Sequence, residues 1–133
     1  MIESSDLRLT RMPLNNGGGH MPALGFGTLI PDLAVTKTAT RDALEAGFRH
    51  FDCAERYRNE QEVGEALQVG LATAGIARED IFVTTKLWNT NRRPQRVEPA
   101  FEASLDRLKL RYLDLYLIHT PFAFQPGDDQ DPR

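Results

Sequence analysis

The sequence predicts an α/β fold in which strands and helices alternate along the chain. Short apolar runs rich in β-branched residues, such as Ile81-Phe82-Val83-Thr84-Thr85, are typical of buried strands. Between these runs, apolar residues recur at helical spacing, most clearly in residues 94–108. A strand and the helix that follows it occupy about 30 residues, a crossover length that suits parallel pairing of successive strands. These observations predict a parallel sheet covered by helices.

Four strands and three helices are predicted after an N-terminal hairpin. The hairpin spans residues 7–24, with strands at 7–11 and 20–24 around the turn at 15–19, whose residues tolerate positive φ. The strands of the main sheet are predicted at residues 24–29, 48–52, 81–86 and 113–118. The helices are predicted at residues 32–46, 59–75 and 94–108. Thr36 or Thr38 is expected to cap the first helix and Asn59 the second, where Glu60 and Glu62 suit the positive field of the first turn.

The composition excludes several classes of protein. The 133 residues carry a net charge of −3 and their basic residues are scattered, which argues against a nucleic-acid partner. No apolar run approaches the ~18 residues of a membrane span, and the acidic start of the chain does not resemble a secretory signal. Cys53 is the single cysteine, so a disulfide within the chain is impossible. We therefore expect a cytoplasmic protein of one domain, with no membrane segment and no metal site.

Several chemically capable side chains are interpreted as structural. Cys53 is expected to be a small buried filler on the opposite face of its strand from Asp52. His20 and His50 are expected to be structural. Three arginines that lie close together are expected to form a solvated surface: Arg92, Arg93 and Arg96.

Two architectures fit this order of elements, a doubly wound sheet and the start of a (β/α)8 barrel. A doubly wound sheet favours a glycine-rich phosphate turn after its first strand, but Ile30 stands where the third glycine of that motif belongs. The barrel is therefore favoured. A complete barrel needs ~250 residues, so residues 1–133 are expected to be the N-terminal half of the domain, with the hairpin and the first four strands. Residues 123–133 are expected to form an irregular loop or tail, since 125–133 hold no core-forming residue.

Four chemically complementary residues are predicted at the carboxyl ends of successive strands, where barrels gather their active-site residues. Asp52, Lys86 and His119 end three apolar runs, and Tyr57 follows Asp52 by five positions. A tyrosine with a pKa of ~10 is a poor acid at neutral pH unless a nearby cation stabilises its phenolate. Lys86 can supply that charge, Asp52 can hold the lysine, and His119 can donate to a carbonyl oxygen. This set predicts general acid catalysis on a carbonyl group, which implies a hydride donor.

The same residues lie in motifs that resemble those of the aldo-keto reductases. Residues 47–64 resemble the first signature of that family, and Met21-Pro22-Ala23-Leu24-Gly25-Phe26-Gly27-Thr28 resembles its first strand. Thr85-Lys86-Leu87-Trp88 and Tyr116-Leu117-Ile118-His119-Thr120-Pro121 resemble the ends of its third and fourth strands. The likeness runs in order from about residue 7 to residue 122.

The resemblance implies a TIM barrel that uses NADPH to reduce the carbonyl of a small-molecule aldehyde or ketone. It assigns Tyr57 as the acid, Lys86 and Asp52 as the pair that tunes it, and His119 as the residue that orients the carbonyl. It places three residues near the nicotinamide: Gly27, Thr28 and Asp52. It places three more along the substrate pocket: Leu29, Trp88 and Thr120.

The sequence departs from the family pattern in three respects. Arg58 stands where the family often has glycine, while Leu29 and Thr120 replace positions that are frequently aromatic, which suggests a less aromatic pocket. The family's later cofactor-binding residues lie beyond the residues of this chain.

Two alternatives to an active reductase of this length remain. One alternative is a non-catalytic half-barrel or accessory protein that keeps the four residues and needs a partner to fold. Unpaired barrel edges are expected to favour aggregation, self-association or a partner chain, with a partly disordered tail. The other alternative is that the natural chain continues past Arg133.

Overall fold

The computed structural model describes residues 9–15 and 17–132. A small hairpin of β1 (Arg11–Pro13) and β2 (His20–Pro22) precedes the main sheet. The strands of that sheet are β3 (Phe26–Gly27), β4 (His50–Asp52), β5 (Phe82–Leu87) and β6 (Leu115–Ile118). The helices are α1 (Leu33–Glu45), α2 (Glu60–Ala74) and α3 (Pro94–Leu108). Within the described ranges, no helix combines the length and apolar character needed to cross a membrane.

The main sheet has the strand order of an opening barrel. Its four strands are parallel and lie in sequence order, β3-β4-β5-β6. Helix α1 packs on α2, and α2 packs on α3, so the three helices form one consecutive layer. A doubly wound sheet would instead reverse its strand order part of the way along the sheet. The described chain is therefore the first half of a (β/α)8 barrel, as the sequence predicts.

The core lies between the sheet and the helices because side chains alternate faces along each strand. Phe51 and Val83 are register partners, and both are fully buried with Cys53 against the helices. Leu67 and Leu108 pack into the same cluster from α2 and α3. The alternate positions on β4 and β5 face the barrel interior, and beyond Phe82 they carry polar residues: His50, Asp52, Thr84 and Lys86. This alternation gives one apolar face for stability and one polar face for chemistry.

The predicted hairpin differs from the observed one in register and length. The sequence-based strand at 7–11 is wrong in position, because Arg11 pairs with Pro22 and Pro13 pairs with His20. Residues 7, 8 and 16 lie outside the described residues, so that part of the predicted hairpin and turn stays a prediction. In the main sheet, β4 and β6 begin two residues later than predicted, β3 is shorter at both ends, and β5 is shifted by one residue.

The predicted cap of α1 is wrong, whereas the predicted cap of α2 is right in position but makes no capping bond. Asp32, not Thr36 or Thr38, caps α1, because its Oδ1 accepts from the Val35 N–H at 2.9 Å. The Thr36 hydroxyl donates instead to the Ile30 carbonyl at 3.0 Å. Asn59 occupies the cap position of α2 without a capping bond, and its amide donates to the carbonyl of Thr28, directly after β3, at 2.7 Å. The side chain of Asn59 therefore joins two elements rather than completing one.

Gly64 permits the close packing of α2 against the end of α3. A Cβ at this position would lie 2.6 Å from the carbonyl oxygens of Arg107 and Leu108. We expect Gly64→Ala to lower the free energy of unfolding by about 2 kcal/mol, because backbone atoms have to move apart. Urea unfolding measures this, with Gly127→Ala as the control, since a Cβ at Gly127 meets nothing within 4 Å. Equal stability of the two variants would contradict this account of the helix contact.

Candidate active site

The structure brings the four candidate catalytic residues to one edge of the sheet. Asp52 is the last residue of β4, Lys86 lies one residue before the end of β5, and His119 directly follows β6. Tyr57 lies in the short 3-10 turn Glu55–Tyr57 that connects β4 to α2. The carboxyl ends of parallel strands meet at the same edge, so residues far apart in sequence converge there.

Lys86 is the centre of this group. Its Nζ lies 2.8 Å from Asp52 Oδ1 and donates to the Cys53 carbonyl at 2.8 Å. A third bond runs from Nζ to the Tyr57 hydroxyl at 3.3 Å. An ammonium has three donors, and these partners use all of them. Lys86 therefore connects the Asp52 carboxylate with the Tyr57 hydroxyl through direct contacts.

His119 completes the edge as a neutral imidazole. Its ring contacts the Tyr57 ring edge-on, with centroids 5.7 Å apart, and lies 5.1 Å from the Trp88 ring. Burial lowers the pKa of His119 below its usual value of 6.5, and the charge of Lys86 lowers the pKa further. Nδ1 is buried with no hydrogen-bond partner among the described residues. A neutral ring has one N–H, which it can donate to an uncharged carbonyl oxygen.

The titration of His119 can be measured directly. We expect NMR of the imidazole to give a pKa below 6.5, because burial and Lys86 both disfavour the charged ring. Lys86→Met should raise this pKa, since it removes a positive charge and leaves the negative charge of Asp52 unbalanced. Lys37→Met is the control, because Lys37 pairs with Glu65 on the helix layer. A wild-type pKa at or above 6.5, or no response to Lys86→Met, would contradict the described electrostatics.

The residues predicted to bind a cofactor lie beside Asp52. Gly27 pairs with Asp52 in the sheet register. Thr28 is fully buried, and both its N–H and its hydroxyl donate to the Asp52 carbonyl at 3.0 Å. A Cβ on Gly27 would meet no atom within 4 Å, so there is open space above its backbone. The sequence did not reveal that Asn59 braces this strand, because the bond to Thr28 spans 31 residues.

The three predicted pocket residues have different surroundings. Trp88 packs edge-on against His119 and Phe124, with ring centroids 5.1 and 5.7 Å away. The Thr120 hydroxyl donates to Asn89 Oδ1 at 2.8 Å, so it also fixes a loop. Leu29 follows β3 and is largely exposed. Trp88 is therefore joined to the four-residue group through His119, whereas Leu29 lies apart from these aromatic contacts.

A buried carboxylate lies behind the site, and sequence reasoning missed it. Glu60 is only 1% exposed and binds the guanidinium of Arg107, with 2.9 Å from Nε and 2.8 Å from Nη2 to Oε2. Its other partners are the hydroxyls of Ser104 and Thr85, the neighbour of Lys86. Burial raises the pKa of Glu60 despite these bonds. The sequence indicated only that Glu60 suits the first turn of α2, and no local spacing signals partners 25 to 47 residues away.

The irregular segment after β6 crosses the rim of the site, and we call residues 122–131 the strap. Its backbone is held by Asn89, whose carbonyl accepts from the Phe124 N–H at 3.0 Å, and by Trp88, whose Nε1 donates to the Gln130 carbonyl at 2.8 Å. Arg96 Nη2 donates to the Gly127 carbonyl at 3.1 Å and to Asp128 at 2.8 Å. The prediction that Arg96 belongs to a solvated surface is therefore wrong.

The fold and the site together define a class of protein. The described chain is half of an α/β barrel with a group of ionisable side chains at the carboxyl ends of its strands. Among the described residues, no cluster of three or more histidines, cysteines or acids has the arrangement of a metal site.

Comparison with known proteins identifies the family. The sequence pattern described as the Aldo/keto reductase family matches residues 23–130. Aldo-keto reductase family 1 member C3 from Homo sapiens is 48% identical over 120 residues, which cover 88% of this chain and 37% of the relative. Aldo-keto reductase family 1 member A1 from Mus musculus is 48% identical over 117 residues, which cover 87% and 36%. The chain belongs to the aldo/keto reductase family, which confirms the resemblance seen in its motifs.

A solved structure supports the same assignment. The aldose reductase from Schistosoma japonicum matches this chain with a TM-score of 0.88 at 48% identity. The match covers 93% of this chain and 41% of that structure. The predicted barrel fold is thereby confirmed. This chain spans well under half the length of the relatives that it matches.

Proposed function

We propose that the protein reduces the carbonyl of aldehydes or ketones to alcohols, with NADPH as the hydride donor and Tyr57 as the general acid. The observation that carries this proposal is the position of Lys86, whose Nζ reaches the Tyr57 hydroxyl at 3.3 Å while Asp52 holds it at 2.8 Å. A phenol is useful as an acid near neutral pH only when its conjugate base is stabilised in this way.

The proposed reaction moves one proton at Tyr57. The carbonyl oxygen accepts a hydrogen bond from neutral His119 and lies within reach of the Tyr57 hydroxyl. NADPH, when bound, supplies the hydride that adds to the carbonyl carbon. The Tyr57 proton passes to the oxygen, so the π bond of the carbonyl is lost, the C–O single bond remains, and new C–H and O–H bonds form. Lys86 stabilises the phenolate that remains until water returns a proton to it.

The residues beside Asp52 fit a cofactor that lies against the strand ends. Gly27 leaves open space above β3, which a side chain at that position would fill. Thr28 and Asp52 form the adjoining wall, and we propose that these three residues hold the nicotinamide end. Three residues are proposed to line the substrate pocket: Trp88, Thr120 and Leu29. Trp88 contacts His119 and would limit the depth of the pocket.

The proposed activity is tested by following NADPH oxidation with benzaldehyde as substrate, using the protein at its natural length. We expect oxidation that depends on both the aldehyde and the protein, with benzyl alcohol as the product. Absence of benzaldehyde-dependent oxidation, together with absence of benzyl alcohol, would contradict the proposal.

A further inference from the structure

Two arginines flank Tyr57 and together hold one carboxylate. Arg56 Nη2 binds Asp131 Oδ1 at 2.7 Å, and Arg58 Nη2 binds Asp131 Oδ2 at 2.8 Å. Arg58 Nε also donates to Gln130 Oε1 at 3.0 Å. Each oxygen of the Asp131 carboxylate thus has its own guanidinium. Charge-assisted bonds of this kind are the usual way in which proteins recognise carboxylates.

The backbone of the turn produces this pairing. Arg58 has a φ of 57°, in the left-handed region that non-glycine residues rarely adopt. The side chain of Arg58 adds a guanidinium to this turn, directly after Tyr57. The departure from the family pattern noted in the sequence therefore has a structural consequence, which is a second positive charge next to Tyr57.

The arginine pair lies close to the proposed reaction centre. The Arg56 Cζ is 5.4 Å from the centre of the Trp88 ring, and that ring lies 5.1 Å from the His119 ring. The charge of Arg56 also contributes to the lowered pKa of His119, after burial and Lys86. One aromatic side chain therefore separates the carbonyl-orienting imidazole from the anion held by the arginines.

The internal carboxylate is held weakly enough to be exchanged. The side chains of Arg56, Arg58 and Asp131 are 33%, 59% and 51% exposed. Ion pairs this accessible to water contribute little to stability, and salt screens them. The strap backbone has separate attachments through Trp88 and Asn89. An incoming carboxylate can therefore replace Asp131 without displacement of the whole strap.

We propose that Arg56 and Arg58 form a binding site for the carboxylate of an acidic carbonyl substrate, and that Asp131 occupies this site until the substrate replaces it. That the bound ligand is a substrate rests on the carbonyl reduction proposed above, whereas binding of an anion by the two arginines does not. The matching ligand carries an aldehyde and a carboxylate on opposite ends of about one aromatic ring, as in 4-formylbenzoate. Trp88 would lie along that ring, between the two polar ends.

The test compares 4-formylbenzoate with methyl 4-formylbenzoate, which has the same shape without the charge. Isothermal titration of the protein at its natural length should show the acid binding about tenfold more tightly than the ester. Arg56→Met combined with Arg58→Met should reduce this ratio to about one. Asp131→Asn should increase affinity for the acid about threefold, since the internal competitor loses its charge. Arg41→Met, which removes an exposed arginine from α1, should leave the ratio unchanged.

The outcomes separate this inference from the proposed function. Equal affinity for acid and ester in the wild type, or a ratio that survives loss of both arginines, would overturn the anion site. Turnover of both aldehydes at equal KM would also overturn it while leaving carbonyl reduction intact. Arginine-dependent binding of 4-formylbenzoate without any turnover would support the anion site and contradict the proposed reductase activity.

Discussion

Tyr57→Phe is expected to lower kcat by about a thousandfold, because general acid catalysis by a positioned side chain contributes roughly 10² to 10⁴ in rate. The phenyl ring keeps its edge-on contact with His119 but has no proton to give. KM should change little, since the hydroxyl acts mainly in the transition state. Steady-state kinetics of aldehyde reduction by wild type and variant measure this effect.

The matched control is Tyr112→Phe. Tyr112 is another partly exposed tyrosine near a cation, with the Arg78 guanidinium 4.0 Å from its ring centre, but it lies away from the strand ends that carry Lys86. Its loss of a hydroxyl should leave kcat within about twofold of wild type. A Tyr57→Phe variant as active as Tyr112→Phe would remove Tyr57 from the mechanism.

Arg107→Met is expected to lower the free energy of unfolding by about 3 kcal/mol, because it leaves the buried Glu60 carboxylate without its counter-ion. Burial already raises the pKa of Glu60, and loss of the guanidinium should raise that pKa further. The free energy of unfolding of this variant should then fall as pH rises, because the folded state favours the protonated Glu60 carboxyl more than the unfolded state does. Urea unfolding at two pH values measures both effects.

Two further variants show whether the buried charge causes this loss. Arg41→Met removes an exposed arginine that lies 4.0 Å from Glu45, and it should cost less than about 0.5 kcal/mol. Adding Glu60→Gln to Arg107→Met should recover more than about 1 kcal/mol, since the amide oxygen still accepts from Thr85 without a charge. An Arg107→Met variant as stable as Arg41→Met would contradict the described role of this ion pair.

Elements specified by local sequence signals were predictable. The predicted range of the third helix matches α3 (Pro94–Leu108), because Pro94 suits a first turn and the apolar spacing is regular. The alternation of strands and helices was predictable for the same reason, because local sequence patterns specify it. The caps were less predictable, since Asp32 and Thr36 both suit the start of a helix. Only the positions of Ile30 and Val35 decide which of the two makes the capping bond.

The site was predictable where topology determines it and not where distant contacts do. Parallel strands bring their carboxyl ends together, so the positions of Asp52, Lys86 and His119 along the sequence were sufficient to predict that they meet. Contacts of Glu60 and of the strap join residues separated by 25 to 75 positions in irregular or helical segments. No periodicity encodes such contacts, which is why the role of Arg96 was misassigned.

The most direct test of the proposed carbonyl reduction follows the hydride and the acid in one experiment. Unlabelled benzaldehyde is mixed with NADPH that carries deuterium at both hydrogens of nicotinamide C4. The mixture is added to wild type and to Tyr57→Phe, both at natural length, for a time sufficient for one wild-type turnover. We predict benzyl alcohol with deuterium on its carbinol carbon from the wild type and almost none from the variant. Equal labelled product from both proteins, or unlabelled alcohol from the wild type, would contradict the account.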